Sequence, residues 1–343
     1  MSAVQPVDIQ IRNPGDRDYA DMAEFILRIT EDIWERKNIG LIYDCYSKDC
    51  PIHTLSGEVT GAEAVVRNTI KTLAGFPDRS MHADGLIIGG DRDSGFYSSH
   101  RISSHMTNLS RSDFGPATHV SADVVTIADC VIEDYAIIEE WLARDNLHFV
   151  QQLGLDPHAI AKSQARSEPD PASVTWRNEQ IDRLRNLPPV EAPEYPENPV
   201  AEPRMFVSAV ISDLWNHRNL SRASDAYARS CVLNVPPGIE VKGRGKVRRQ
   251  LTKMVDNLID TRVSVDHLCA SFGQEDTLDL AIRWTVRGTH VDGGFGCKCN
   301  GAELLILGIS HWRVGKSGIV EDWTVFDQLA ILRQIYAQRS HAD

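Results

Sequence analysis

No stretch of the sequence approaches the roughly 18–20 consecutive apolar residues that span a bilayer. The N-terminal Met-Ser-Ala-Val-Gln-Pro-Val-Asp also lacks the basic segment and apolar run of a secretion signal. A cytoplasmic protein that engages no membrane is therefore expected. Positive charge is scarce: 36 Lys and Arg stand against 48 Asp and Glu, for a formal net charge of −12. That surplus would repel a phosphate backbone, and the basic residues form no stripe, so nucleic acid is not an expected partner. The 7 cysteines are odd in number and include no paired CxxC motifs, which argues against a disulfide frame or a zinc finger. Cys297 and Cys299 flank Lys298 without a second ligand pair, so no metal site is expected there.

What is present is a chain of 343 residues, 42% apolar, which is more than one hydrophobic core usually serves. An internal repeat explains the length. Two long segments match at an offset of 181 to 182 residues: "DIWERKNIGLIYDCYSKDCPIHT" (32–54) meets "DLWNHRNLSRASDAYARSCVLNV" (213–235). Trp34 pairs with Trp215, Tyr46 with Tyr227 and Cys50 with Cys231, and Gly61 with Gly243 further on. Near the ends of the copies, "AIIEEWLARDNLHFVQQLG" (136–154) meets "GIVEDWTVFDQLAILRQIY" (318–336), aligning Trp141 with Trp323 and Asp145 with Asp327.

The expected domains are a tail over 1–20, a first copy over 21–155, a linker over 156–203 and a second copy over 204–340. The linker ends in "PPVEAPEYPENPVAEP" (188–203), whose prolines exclude a helix interior. Before it, Trp176, Ile181, Leu184 and Leu187 recur at roughly helical spacing, predicting a short helix. Each copy opens on an amphipathic helix, with Met22, Phe25, Ile26, Ile29 and Ile33 in the first and Phe206, Val210 and Leu214 in the second. A further helix follows Gly61 or Gly243, and then four strand-like runs separated by turn signals predict an antiparallel meander. The fold class is thus α+β: two tandem cone-shaped domains, each a curved antiparallel sheet covered by N-terminal helices.

"RWTVRGTH…FG…IVEDWTVFDQLAILRQI" and "HRISSHMTN…FGPAT…IIEEWLARDNLHFVQQLG" resemble the SnoaL-like polyketide cyclase family, within the ketosteroid-isomerase and nuclear-transport-factor-like superfamily. The resemblance covers about 130 residues in each half. It implies a cone with a small-molecule pocket, no metal or organic cofactor, and an enzyme of cyclase, isomerase or lyase type acting on a small carbonyl compound. It also implies pairing through the outer sheet face, so an intramolecular pseudo-dimer, and a homodimer of the whole chain, are candidate assemblies. In the cyclases an aspartate near the end of the last strand is the general acid and base, a role that would fall on Asp145 and Asp327.

Two readings of these aspartates stand side by side. Either each sits in an apolar cavity beside Trp141 or Trp323, where desolvation would raise its pKa, or each caps the short helix that follows it. In the first copy His53, His100, Arg101, His105 and His119 fall in the strand region with Asn108 near them. Strand alternation could turn His105 and Arg101 inward to hold an enolate oxygen. Trp34, Tyr46, Trp141, Trp215 and Trp323 are candidate pocket walls. The second copy has Asn234, Arg287, His290 and Arg283 where the first has His53, His105, Asn108 and Arg101, so its pocket chemistry should differ.

One working copy and one structural copy is the expected division. The first copy is favoured as active by its fuller terminal wording, while "RWTVRGTH" speaks for the second. A hydrolase resembling the related epoxide hydrolases would need an Arg-x-Asp where "RIS" stands, and a non-catalytic binding module is the remaining alternative. The acid pairs Glu139-Glu140 and Glu321-Asp322 read as solvated turns, because strand neighbours face opposite ways.

Overall fold

The computed structural model describes residues 11–12, 18–19, 21–91, 95–167, 170–188, 191, 193–273, 276–298 and 301–339. The chain divides into two compact units, Met1–Ile160 with Cys269–Ser271, and the remainder. In order, the first half runs β1 (Ile11–Arg12), β2 (Asp18–Tyr19), α1 (Met22–Thr30), α2 (Ile42–Cys45), β3 (Pro51–Thr54), β4 (Gly57–Thr60), α3 (Ala62–Gly75), β5 (Ser80–Asp91), β6 (Gly95–Thr107), β7 (Ser121–Glu133), β8 (Ala136–Arg144) and α4 (Asn146–Gln152). After α5 (Pro157–Ala165) and α6 (Pro171–Arg185) the pattern repeats as α7 (Pro203–Trp215), α8 (Leu220–Asp225), β9 (Tyr227–Val235), β10 (Ile239–Lys242), α9 (Arg244–Val255), β11 (Leu258–Phe272), β12 (Leu278–His290), β13 (Glu303–Gly315), β14 (Gly318–Phe326) and α10 (Gln328–Arg339). Among the described residues no helix is long and apolar enough to cross a membrane.

Each unit holds one six-stranded sheet, in the order β4-β3-β8-β7-β6-β5 or β10-β9-β14-β13-β12-β11. β5 to β8 form the expected antiparallel meander. The sheet as a whole is mixed rather than antiparallel, because β3 joins β8 in parallel with Ile52 opposite Glu140 and His53 opposite Trp141. β9 joins β14 the same way. A parallel join needs a crossover, and the helix and meander between the two strands supply it.

The repeated glycines have a backbone reason. Gly61 and Gly243 both stand before a helix with φ near +88 and +87, where a side chain is strained, and a Cβ on Gly61 would lie 2.5 Å from the Lys48 carbonyl. Each donates its N–H to the carbonyl of the paired cysteine, Cys50 or Cys231, at 2.8 Å.

α1 begins at Asp21, whose carboxylate accepts from the Glu24 N–H at 2.8 Å. It buries Phe25, Ile26 and Ile29, and the turn after it Ile33, in one core with Ile52, Ile132 and Ile137 of the sheet. It ends in a π turn over Glu31–Glu35, whereas α7 continues as regular helix to Trp215. The predicted helix before the proline-rich segment is α6, which packs within the second unit: Arg177 donates to Gln334 Oε1 at 3.1 Å and to the Glu303 carbonyl at 2.7 Å.

Candidate active site

The inner faces of β6, β7 and β8 follow from strand alternation. Ser98, His100 and Ile102 on β6, Thr126, Ala128 and Cys130 on β7, and Glu140, Leu142 and Arg144 on β8 all face a cavity of about 360 Å³ closed by α1 and α3. Trp34 and Tyr46 complete its wall from the helical side, and Arg79 enters just before β5. Most wall side chains on β6 and β7 are small, which leaves room for a ligand.

Glu140 is the central group. It is 6% exposed, and burial pushes its carboxyl from 4.5 up to about 7, against the opposing pulls of the Arg144 guanidinium and the Tyr46 hydroxyl, which hydrogen-bonds it. A group poised near neutrality can both take and return a proton. Two strands away on the same inner face, burial holds the His100 imidazole down to about 4, so His100 is neutral at physiological pH. Its Nε2 is buried without a hydrogen-bond partner, as is the Thr126 hydroxyl. Burial, and then the Glu140 charge, push the Cys130 thiol well above its usual range, so Cys130 acts as a neutral wall residue rather than a nucleophile.

The second cone is full. The corresponding space is about 20 Å³, and the 182-residue offset shows what fills it. Trp284 stands for Ile102, Trp312 for Cys130 and Phe326 for Arg144. The sheet registers agree, since Ile102 lies opposite Thr126 as Trp284 lies opposite Gly308, and Cys130 opposite Glu140 as Trp312 opposite Asp322. The Trp284 ring rests on Gly308, where a Cβ would come within 2.1 Å of it. Trp284 Nε1 donates to Ser310 Oγ at 3.0 Å, Ser310 meets Thr324 Oγ1 at 2.7 Å, Thr324 donates to Asp322 at 2.8 Å, and Tyr227 donates to Asp322 at 2.6 Å. Burial raises Asp322 to about 6, yet its oxygens are already occupied within a closed chain. In the first cone Ala128 and Leu142 replace Ser310 and Thr324, so the chain does not form and Glu140 borders open space.

Several expected site residues lie elsewhere. Asp145 and Asp327 are helix caps: Asp145 Oδ1 accepts from the His148 N–H at 3.2 Å and Asp327 Oδ1 from the Ala330 N–H at 3.0 Å, and neither lines the open cavity or the small space in the second cone. Capping, not cavity desolvation, is the geometry the chain realises for them. Arg101 and His105 alternate away from His100 onto the outer sheet face. There Arg101 donates to the Asp84 carbonyl at 3.2 Å, and His105 pairs with Asp123 at 2.8 Å with more than half its side chain exposed.

His53 sits on that outer side too, held by Glu58 at 2.8 Å and Glu139 at 3.0 Å and stacked on Trp141. Asn108 is buried in a loop, accepting from the Thr118 N–H and donating to Ser112, while His119 is exposed in the same loop. In the second domain, Asn234 lies opposite Trp323 across β9 and β14, and Trp323 Nε1 donates to Glu321. His290 is bound to the Gly294 carbonyl at 2.7 Å. Arg283 is buried, but neither it nor the other three borders the small remaining space, whereas Trp215 does so as part of the filling. Of the expected residues Trp34, Tyr46 and His100 line the open cavity. Cys299 lies outside the described residues, and Cys297 is buried near the Tyr336 hydroxyl.

Glu140 and Arg79 were missed by the sequence reading. The repeat itself carries a signal for Glu140, because it keeps an acid at 140 and 322 and a tyrosine at 46 and 227. Of the acid pair, Glu139 faces outward to His53 and Glu140 inward, so alternation was the right rule but the conclusion of a solvated turn was not. No local signal distinguishes Arg79.

Residues 207–335 match the model of the SnoaL-like polyketide cyclase family. No curated protein matches the chain. Similar solved structures include IdmH from Streptomyces antibioticus (19% identity, 39% of this chain and 98% of that one, TM-score 0.34). TsrD from Streptomyces laurentii is similar at 19% identity over 40% of this chain and 98% of that one, with TM-score 0.35. A SnoaL-like polyketide cyclase from Agrobacterium tumefaciens is similar at 16% identity over 38% of this chain and 97% of that one, with TM-score 0.33.

Proposed function

Starting from a second domain that matches the SnoaL-like polyketide cyclase family and a first domain that repeats its pattern, we propose that the chain is a general acid–base enzyme. It is of cyclase, isomerase or lyase type, acts on a small carbonyl compound and works through the first domain alone. The observation that carries this reading is Glu140, a buried carboxyl poised near pH 7 on the wall of an open 360 Å³ cavity. In the proposed step its ionised form takes a proton from the carbon next to the substrate carbonyl, and the acid so formed returns it at another atom. The neutral His100 imidazole, whose Nε2 has no protein partner, is placed to hydrogen-bond the enolate oxygen. Tyr46 holds the Glu140 carboxyl in position.

The second domain supports a structural role in this reading, since its cone is filled by Trp215, Trp284 and Trp312 and its acid is bound internally. The test is hydrogen–deuterium exchange at carbon, followed by mass spectrometry, over a panel of ketones and 1,3-diketones small enough for the cavity. Wild type should exchange at least one panel member and Glu140→Gln none, while Asp322→Asn exchanges as wild type. Exchange that survives in Glu140→Gln, or its absence from every ketone that wild type binds, refutes the assignment.

A further inference from the structure

The first cavity contains more positive charge than its proposed proton chemistry requires. Both Arg79 and Arg144 face it, while Glu140 is held close to half-protonated at neutral pH. Arg79 is the informative residue. One of its terminal nitrogens donates to Ser104 Oγ at 3.3 Å, but its Nε is buried without a hydrogen-bond partner, and among the described residues none forms an ion pair with it. The carboxylate of Glu35, whose charge also reaches Arg79, is engaged by the Met81 N–H, and Lys37 beside it donates to the Trp34 and Arg79 carbonyls. At the mouth, Lys71 and Asp113 pair with each other at 2.5 Å and leave no net charge there.

A buried guanidinium donor left unmade is costly, and two like charges beside one cavity add repulsion to that cost. An oxyanion held by both guanidiniums relieves both costs, because a carboxylate accepts two or more charge-assisted hydrogen bonds. The same offset that fills the second cone also removes these charges, placing Thr261 and Phe326 where the first domain has Arg79 and Arg144. The guanidiniums thus occur only in the domain that has room for a ligand.

We propose that the substrate is an oxo acid, a small carbonyl compound whose carboxylate is seated on Arg79 and Arg144 while its carbonyl end reaches Glu140. This names the substrate class for the site proposed above and rests on that reading for the role of the carbonyl, but the carboxylate seat stands without it.

The experiment is calorimetric titration with 4-oxo-4-phenylbutanoate and its methyl ester, which share a carbonyl and a shape and differ in charge. Wild type should bind the acid at least tenfold more tightly than the ester, and more weakly as salt is raised. In Arg79→Gln the preference should fall to within about twofold with ester affinity unchanged, and Arg79→Lys should restore part of it. Arg144→Gln is the second variant, and thermal melts report whether either is misfolded. Equal binding of acid and ester by wild type, no binding of the acid at millimolar concentration, or equal loss of both ligands in a folded Arg79→Gln overturns the proposal. Glu140→Gln should retain the acid preference, so a failure of the proton-transfer reading appears as lost exchange with the preference intact.

Discussion

A carboxyl held near pH 7 inside a fold should be detectable as a stability cost before any substrate is known. Glu140 titrates at about 7 in the folded chain against an ordinary 4.5. Between those values the folded state binds more protons than the unfolded one, so stability falls as pH rises from about 4.5 to about 7 and is level above that. The difference in pKa corresponds to roughly 3 kcal/mol, an upper figure because solvent in the adjoining cavity screens the ionised group. Glu140→Gln is nearly isosteric, keeps a group for the Tyr46 hydroxyl to meet and cannot ionise. It should lie within about 1 kcal/mol of wild type at pH 5 and be the more stable protein at pH 8, by up to roughly 3 kcal/mol, or on the order of 6–12 °C in the melting temperature of a domain this size. Asp322 adds a cost of the same sign over a lower range, up to about 6, but it is common to both proteins and cancels in the comparison. The assay is a pair of thermal or urea melts for each protein at pH 5 and pH 8. If the two proteins lose stability in parallel across that range, Glu140 is ionised or solvated and the base has been misassigned.

Trp284→Ala in the second domain removes a fully buried indole and its bond to Ser310, and should cost about 3–5 kcal/mol in denaturant melts without changing activity in the first domain. The reverse exchange, Ile102→Trp with Thr126→Gly, copies the Trp284–Gly308 pair into the first cone and should abolish ligand binding in calorimetry while the melting temperature holds or rises. Asp145→Ala should lose about 1 kcal/mol as a helix cap and leave turnover within about threefold of wild type, which a melt and a rate measurement on the same sample would check. His105→Gln changes only an exposed pair with Asp123 and should shift stability by less than about 1 kcal/mol, with the rate unaffected.

The contrast between Asp145 and Glu140 shows where sequence reading of this chain stops. Both are acids near Trp141, and both were visible in the repeat. Asp145 had the correct local explanation available, a helix start with a free N–H three residues on, because capping depends only on near neighbours in the chain. Glu140 had no local signature, since its burial depends on Cys130 of the neighbouring strand and on Tyr46 from the start of the domain, which only the fold brings to it; Arg144, on the same strand, says nothing by itself about burial. Arg101 and His105 failed for a related reason: alternation gives two faces but not which one is inner, and His100 with Ile102 took the inside.

The sequence by itself determined the duplication, the opening helix, the helix after Gly61 or Gly243 and the four-strand meander of each copy, and the α+β class, because periodicity, turn chemistry and repeated spacing are properties of neighbouring residues; the strands β3, β4, β9 and β10 that precede those second helices were not among its expectations. Only the tertiary structure decided that β3 and β9 join their sheets in parallel, that one cone is open and the other closed, and that a glutamate rather than an aspartate faces the open one. Whether a cavity exists depends on the summed volumes of side chains from six strands and two helices meeting in one place. An exchange such as Ile102 and Cys130 for Trp284 and Trp312 preserves every local pattern while removing the space in which chemistry could occur.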